Sequence, residues 1–428
     1  MSLGIRLLAR LEKPSTSQEE LIVRIEKWLR VTYSEMLPTT KRVVIESTPT
    51  LLCQLHPAAE ELELSFVGPS QLVASANTTT VGPGYHVFVA SVLKDLAHEF
   101  HARWERPAED SEDYGDETGF FFTGDEKNLN AEMAAWLAAL ANTFFDGPLD
   151  SEESGTALCL PINPQFKFEQ PALTPLGPRD REWLYKTAQD GRSGLDFFAW
   201  PTPGFNAEYY LGRALTQMWA DVRWRPPIND SETLVLEDVA GSLRRAHGLN
   251  ASLRFPWAEW KQILEFLNHE GAEAELVSSR VEGEPTIGYR RKEVSVSLPG
   301  GWNIKVPGSF SNFEADDEND LCAVDPPKEI WFTAYRFEVA SSPNDFESVK
   351  KDRKKKRADY VIERDDYFAQ ATISNKRRET GEEYFVLNSS NLAIGTRAVC
   401  TILFSDPSQR DWAVEMWRSI KPPSTPGQ

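Results

Sequence analysis

Cysteine and histidine are scarce in this chain, with four of the first and six of the second among 428 residues. Cys53, Cys159, Cys322 and Cys400 stand far apart and never form a C-x-x-C pair, so neither a zinc knuckle nor a disulfide framework is expected. They read as buried thiols in a reducing compartment. Long apolar runs are missing too, and nothing approaches the roughly twenty residues a membrane helix needs. The opening MSLGIRLLARLEKPSTSQEE is interrupted by Arg6 and Arg10 and is too short an apolar run for a secretion signal. A soluble cytoplasmic protein is therefore expected. No G-x-S-x-G nucleophile elbow occurs, no cysteine carries a nucleophile motif, and TTTVGPGYH lacks the Gly-Lys-Ser/Thr ending of a phosphate-binding loop. No internal repeat of fixed period is present.

What is present points to packed globular structure. Hydrophobic residues make up 41% of the chain and thirteen are Trp, and the length suffices for two or three domains with cores of their own. The net charge of −19 is unevenly placed. From Arg290 onward 21 Lys and Arg face 22 Asp and Glu; the preceding residues hold 25 against 43, a net of −18. Such a field repels nucleic acid and anionic membrane and favours a basic partner. The densest acidic stretch is ERPAEDSEDYGDE, Glu105 to Glu117, with seven acids, and reads as a solvated loop or linker.

An α+β fold is expected: a mixed α/β N-terminal region, a helix-rich second lobe, and a C-terminal antiparallel sheet flanked by helices. The divisions are residues 1–104, an acidic loop at 105–118, a helical lobe at 119–275, a linker at 276–289, a last domain at 290–421 and a tail at 422–428. In the first lobe, Ser17 to Val31 is an amphipathic helix with Ser17 and Glu20 in capping-box spacing. Strands are predicted at Arg42 to Ile45, Leu62 to Val67 and Gln71 to Ala76, and a helix from about Tyr85. Phe120 to Thr123 reads as a short strand. Helices follow at 128–145, 179–189, 207–222, 232–246 and 257–267, marked by apolar spacing and terminal glycines. The last domain alternates at Lys292 to Leu298, with further strands at 331–339, 383–387 and 393–404. A closing helix places Trp412, Met416 and Ile420 on one face.

Three features of that last region occur in a telling order: a strand leading into proline and Gly-Trp (VSLPGGWNIKVPGSF, Val296 to Phe310), a central basic helix, and strands before a final helix (AVCTILFSDPSQRDWAVEMWRSI, Ala398 to Ile420). The arrangement resembles the PsbP-like fold, which includes the Eag chaperones of type VI secretion, over roughly residues 290–421. The resemblance implies a binding module without catalytic residues and carries nothing for residues 1–289.

Three groups of residues are candidates for function. Three of the six histidines lie in one stretch, TVGPGYHVFVASVLKDLAHEFHARW. His98 and His101 are three apart, not the four that set two imidazoles around one zinc, and no second ligand helix completes a site. His86 follows Gly82-Pro83-Gly84 at a helix start, where free N–H groups hold anions. Tyr85, His86, His98 and His101 therefore form the pocket of an alternative hydrolase-type enzyme or small-ligand reading, with Thr78, Thr79 and Thr80 as a polar wall. The competing reading is a turn and a partly buried helix, and no metal, cofactor or catalytic residue is assigned. The basic run Lys350, Lys351, Arg353, Lys354, Lys355, Lys356 and Arg357 lacks the interleaved aromatics of nucleic-acid binding and reads as a solvated helix face or a dock for acidic surface. Aromatic clusters around Trp200, Trp224 and Trp257 read first as core packing and loop anchoring, with partner-binding anchors as the competing reading.

Taken together these features lead to the expectation of a non-enzymatic cytoplasmic protein-binding protein, a bacterial immunity protein or effector chaperone or adaptor. Its contacts would come from Glu109, Asp110, Glu112, Asp113, Asp116 and Glu117 with Trp200, Trp224 and Trp257, directed at a basic protein. A scaffold in a larger assembly is a second alternative.

Overall fold

The computed structural model describes residues 3–12, 17–36, 39–107, 114–145, 156–158, 166–167, 172–314, 320–336 and 343–423. The acids at positions 109, 110, 112 and 113, and Cys159, lie outside the described residues. Contacts divide the chain into two compact units: Met1–Ile162 with Glu169–Gly288, and Asn163–Phe168 with Tyr289–Gln428. The expected lobes at 1–104 and 119–275 thus share one unit. No helix among the described residues is long and apolar enough to cross a membrane.

The first unit is built on β1 (Gly4–Leu11), whose alternating GIRLLARL buries Ile5, Leu7, Ala9 and Leu11 and leaves Arg6 and Arg10 exposed. A period of two is the signature of a strand with one face in a core. It was passed over as sequence because the segment was weighed only as a leader. Around it run β2 (Thr39–Ile45), β3 (Thr48–Gln54), β4 (Leu62–Gly68), β5 (Gln71–Asn77), β6 (Ala102–Trp104) and β7 (Gly115–Asp116). The order is β2-β3-β4-β5-β1-β6, with β7 also on β1, all pairs antiparallel. Helix α1 (Gln18–Thr32) starts where Ser17 accepts the Glu20 N–H and buries Leu21, Ile22, Ile25 and Leu29. Helix α2 (Pro83–Glu99) is buried over most of its first three turns.

Past the acidic stretch, α3 (Phe120–Thr123) is a helical turn where a strand was expected. Gly119 and Gly124, both left-handed, bracket it, and that geometry closes a turn rather than extending a strand. Then come α4 (Glu126–Phe145), β8 (Thr156–Ala157), β9 (Phe166–Lys167), β10 (Ala172–Thr174), β11 (Gly177–Arg179), α5 (Arg181–Gln189), α6 (Ala207–Ala220), α7 (Asp230–Leu249), α8 (Trp257–Phe266) and α9 (Ala272–Arg280). Asp180, Asn206 and Asn229 cap α5, α6 and α7 by accepting N–H groups three residues on. β10 pairs with β8 and β11 in a small sheet.

In the second unit β9 joins β12 (Glu293–Ser297) and β13 (Asn303–Pro307). A seven-stranded antiparallel sheet follows, from β14 (Ser311–Glu314), β15 (Asp320–Asp325), β16 (Lys328–Arg336), β17 (Tyr360–Glu363), β18 (Tyr367–Arg377), β19 (Glu383–Ala393) and β20 (Thr396–Phe404), in the order β14-β15-β16-β20-β19-β18-β17. Helices α10 (Pro343–Arg353) and α11 (Arg410–Arg418) accompany it. Asn391, fully buried, ties α11 to the sheet: its Oδ1 accepts from Trp417 Nε1 and Tyr367 Oη, both at 3.1 Å. The fold is α+β.

Candidate functional site

His86 is fully buried. Its Nδ1 lies 2.8 Å from Thr78 Oγ1, and its Nε2 lies 3.1 Å from Thr118 Oγ1 and 3.2 Å from Asp116 Oδ2. Asp116 also accepts the Phe121 N–H at 2.6 Å, the Thr118 N–H at 2.9 Å and the Thr118 hydroxyl at 2.8 Å. Burial alone would push this carboxyl up, but the His86 contact and the donors from Phe121 and Thr118 outweigh it and hold Asp116 below the usual carboxylate value. This cluster therefore fastens the end of the acidic stretch to α2 and α3. Asp116, expected as a solvent-facing contact, has a side chain with no exposure at all.

The glycine turn beside it is filled from within. Gly84 donates to the Trp200 carbonyl at 3.0 Å and Trp200 donates to the Val81 carbonyl at 2.9 Å. A Cβ on Gly84 would stand 2.2 Å from the Trp200 ring, and one on Gly82, at φ +114°, would stand 2.6 Å from Phe198. The anion-holding reading of Gly82 to Gly84 is corrected accordingly: Phe198 and Trp200 occupy its space. Thr80 donates to the Ala58 carbonyl and Thr79 to Asn77 Oδ1, so the expected polar wall is already engaged.

The four-residue pocket does not form. Tyr85 and His86 are fully buried near the start of α2, whereas His98 is exposed near its end and His101 exposed just beyond. Twelve residues of helix separate His86 from His98, about 18 Å. His101 takes φ +52°, the left-handed residue that ends the helix. Among the described residues no group of three or more His, Cys, Asp or Glu is placed to hold a metal.

The remaining candidates are scattered. Trp200 is 1% exposed and Trp224 9%, so both are core residues rather than surface anchors; Trp257 is half-buried and stacks on Trp260 at 5.5 Å. Glu117 is exposed and accepts the Gly4 N–H at 2.7 Å. The basic run is not one helix face. α10 ends at Arg353, leaving Lys354, Lys355, Lys356 and Arg357 beyond it. Lys350 is buried on Glu347 and Glu363, Lys354 also reaches Glu363, and Lys355 pairs with Asp352; Lys351 is exposed.

Sequence reasoning missed a cavity of about 550 Å³ in the first unit, between the end of β3 and helices α6 and α7. His56, 1% exposed, lines one side. Its Nδ1 accepts the Ala58 N–H at 3.1 Å, and burial, then the Arg213 charge, press the ring well below its ordinary pKa of 6.5. The ring is therefore neutral with its proton on Nε2, which has no partner. Opposite lie Arg213 and Gln217, each 6% exposed. Asp238 accepts from Arg213 Nη2 at 2.6 Å and from Gln217 Nε2 at 2.8 Å. Gln217 Oε1 is then buried and unpartnered. Each such atom costs about 1–3 kcal/mol. The signal was legible after the fact: Arg213, Gln217 and Asp221 recur every four residues along α6 and its C-cap.

No protein-family model and no curated protein matches the chain. Among solved structures it is similar to a protein of Bacteroides thetaiotaomicron VPI-5482, at 12% identity and TM-score 0.26, over 32% of this chain and 50% of that one. It is also similar to the Saccharomyces cerevisiae Ran-binding protein Mog1p, at 10% identity and TM-score 0.19, over 31% of this chain and 95% of that one. The chain spans half the length of the first. Both likenesses are weak, extend over about a third of the chain, and fix neither ligand nor activity.

Proposed function

We propose that this chain is a non-enzymatic cytoplasmic protein-binding protein, an immunity protein or an effector chaperone or adaptor, whose acidic N-terminal unit captures a basic partner. The observation that carries this reading is the charge distribution: a net of −18 before Arg290 and −1 after it. Several cations of the first unit are engaged with carboxylates. Arg42, Arg213, Arg225 and Arg244 each sit within 3.0 Å of a carboxylate oxygen, so the excess acids set the surface field. That field steers a cationic protein and raises its association rate by about 10- to 1,000-fold at low salt. The second unit is proposed as a PsbP-like binding module.

The test is association of the full chain with the basic protein it retains from its native lysate, followed across salt concentrations. Glu109, Asp110, Glu112, Asp113 and Glu117 are replaced by Gln or Asn, and Asp116 is spared because it holds His86. Association is expected to slow by about tenfold or more at low salt and to converge with the native chain at high salt. Binding that ignores both the salt and the substitutions would remove the charge-steered reading.

A further inference from the structure

We propose that the cavity beside His56 and Gln217 is a binding site for an uncharged carboxamide group. Two buried atoms without partners define it, His56 Nε2 and Gln217 Oε1. The first is a donor, because the other ring nitrogen accepts the Ala58 N–H. The second is an acceptor whose identity is fixed: exchanging the amide's oxygen and nitrogen would set a carbonyl oxygen 2.8 Å from the Asp238 carboxylate that Arg213 also holds.

A ligand satisfying both must accept from His56 Nε2 and donate to Gln217 Oε1. A carboxylate offers no donor and an ammonium no acceptor. A carboxamide carries C=O and N–H side by side on one plane, an acceptor for the first atom and a donor for the second. The charges agree, since the Arg213 guanidinium is taken by Asp238. Leu234 and Val235 supply apolar wall for the remainder of the ligand. The 550 Å³ falls within the ordinary size of a small-ligand site. This assignment is independent of charge-steered partner capture. The amide belongs either to a small metabolite or to an Asn or Gln side chain of a peptide.

The test is NMR on the full-length ¹⁵N-labelled chain, following the His56 ring nitrogens and the Gln217 side-chain amide during titration with propionamide. Two matched probes accompany it: 2-butanone, which keeps the carbonyl and lacks the N–H, and 1-propanol. Propionamide is expected to move both signals saturably and to bind at least tenfold more tightly than either. His56→Phe and Gln217→Met should each weaken it by about tenfold. Because either substitution can disturb folding, the three-probe comparison on the native chain stands as the primary readout. No saturable shift at these two residues, or equal binding of butanone or propanol, overturns the assignment. Tighter binding of acetyl-Ala-Gln-Ala-amide than of propionamide keeps it and names a peptide as source; no gain keeps it and names a small molecule.

Discussion

At the scale of single residues, two buried ionisable groups give the chain different acid limbs. His56 has a folded value far below 6.5, through burial first and the Arg213 charge second. As pH falls below about 6.5 the unfolded chain takes up a proton that the native chain refuses. Stability is therefore full above that pH and is lost below it, by about 1.4 kcal/mol per pH unit. His56→Phe should flatten this slope in denaturant midpoints measured from neutral pH down to the carboxylate range; an unchanged slope would mean that His56 is not the group responsible. Asp116 works lower. Its folded value is depressed below the usual 3.8, so its contribution is present above 3.8 and disappears as pH falls through the folded value. Asp116→Asn should cost about 1–3 kcal/mol at neutral pH through lost hydrogen bonds to a buried carboxylate, with the difference from the native chain shrinking in acid. Two thiols need no such test: burial raises both Cys53 and Cys400 to about 12, so neither is a nucleophile at neutral pH.

At the scale of elements, close backbone contact decides where glycine is obligatory. A Cβ on Gly212 of α6 would lie 2.0 Å from the Ala199 carbonyl oxygen, whereas one on Gly241 of α7 meets nothing within 4 Å. Both glycines sit inside helices, and propensity alone predicts that alanine improves each. Gly212→Ala is instead expected to destabilise by about 2–3 kcal/mol through overpacking, and Gly241→Ala to stabilise by about 0.5–1 kcal/mol. Thermal melting of the two variants separates the effects; equal shifts would contradict the tight seat of α6 on the Phe197 to Trp200 segment. The same segment explains the glycine turn at Gly82 to Gly84. The helices α5 to α8 are legible from apolar spacing and terminal glycines, whereas β1 is missed although its alternation is there to be read. The turn α3 was misread because its three phenylalanines suit either structure and only its flanking glycines choose.

At the scale of the whole molecule, charge and connectivity act together. The acidic excess belongs to residues before Arg290, so the proposed capture of a cationic partner predicts the salt dependence of long-range steering: a steep fall in association rate as ionic strength rises, with dissociation nearly unchanged. The two units are not simple consecutive blocks. Phe166 and Lys167, far upstream in sequence, pair with Val296 and Ser295 and so complete the first sheet of the C-terminal unit. A boundary drawn on composition at about residue 290 misses this strand, because two residues carry no periodicity for a pattern to reveal.

The sequence by itself determined the α+β class, the amphipathic helices with their caps, the alternating strands and the asymmetry of charge. Each of these is written in local spacing or in simple sums of residues. Only the tertiary structure decided the fate of the histidines. His86, which stood in the most site-like stretch, is engaged on every side, while His56, flanked by an ordinary Leu-His-Pro, faces Gln217 across a cavity. The physical reason is sequence separation: His56 and Gln217 are 161 positions apart, and two residues brought to one cavity across such a distance leave no period or spacing in the chain. What distinguishes the two imidazoles is whether their nitrogens found partners, and that is settled when the core closes.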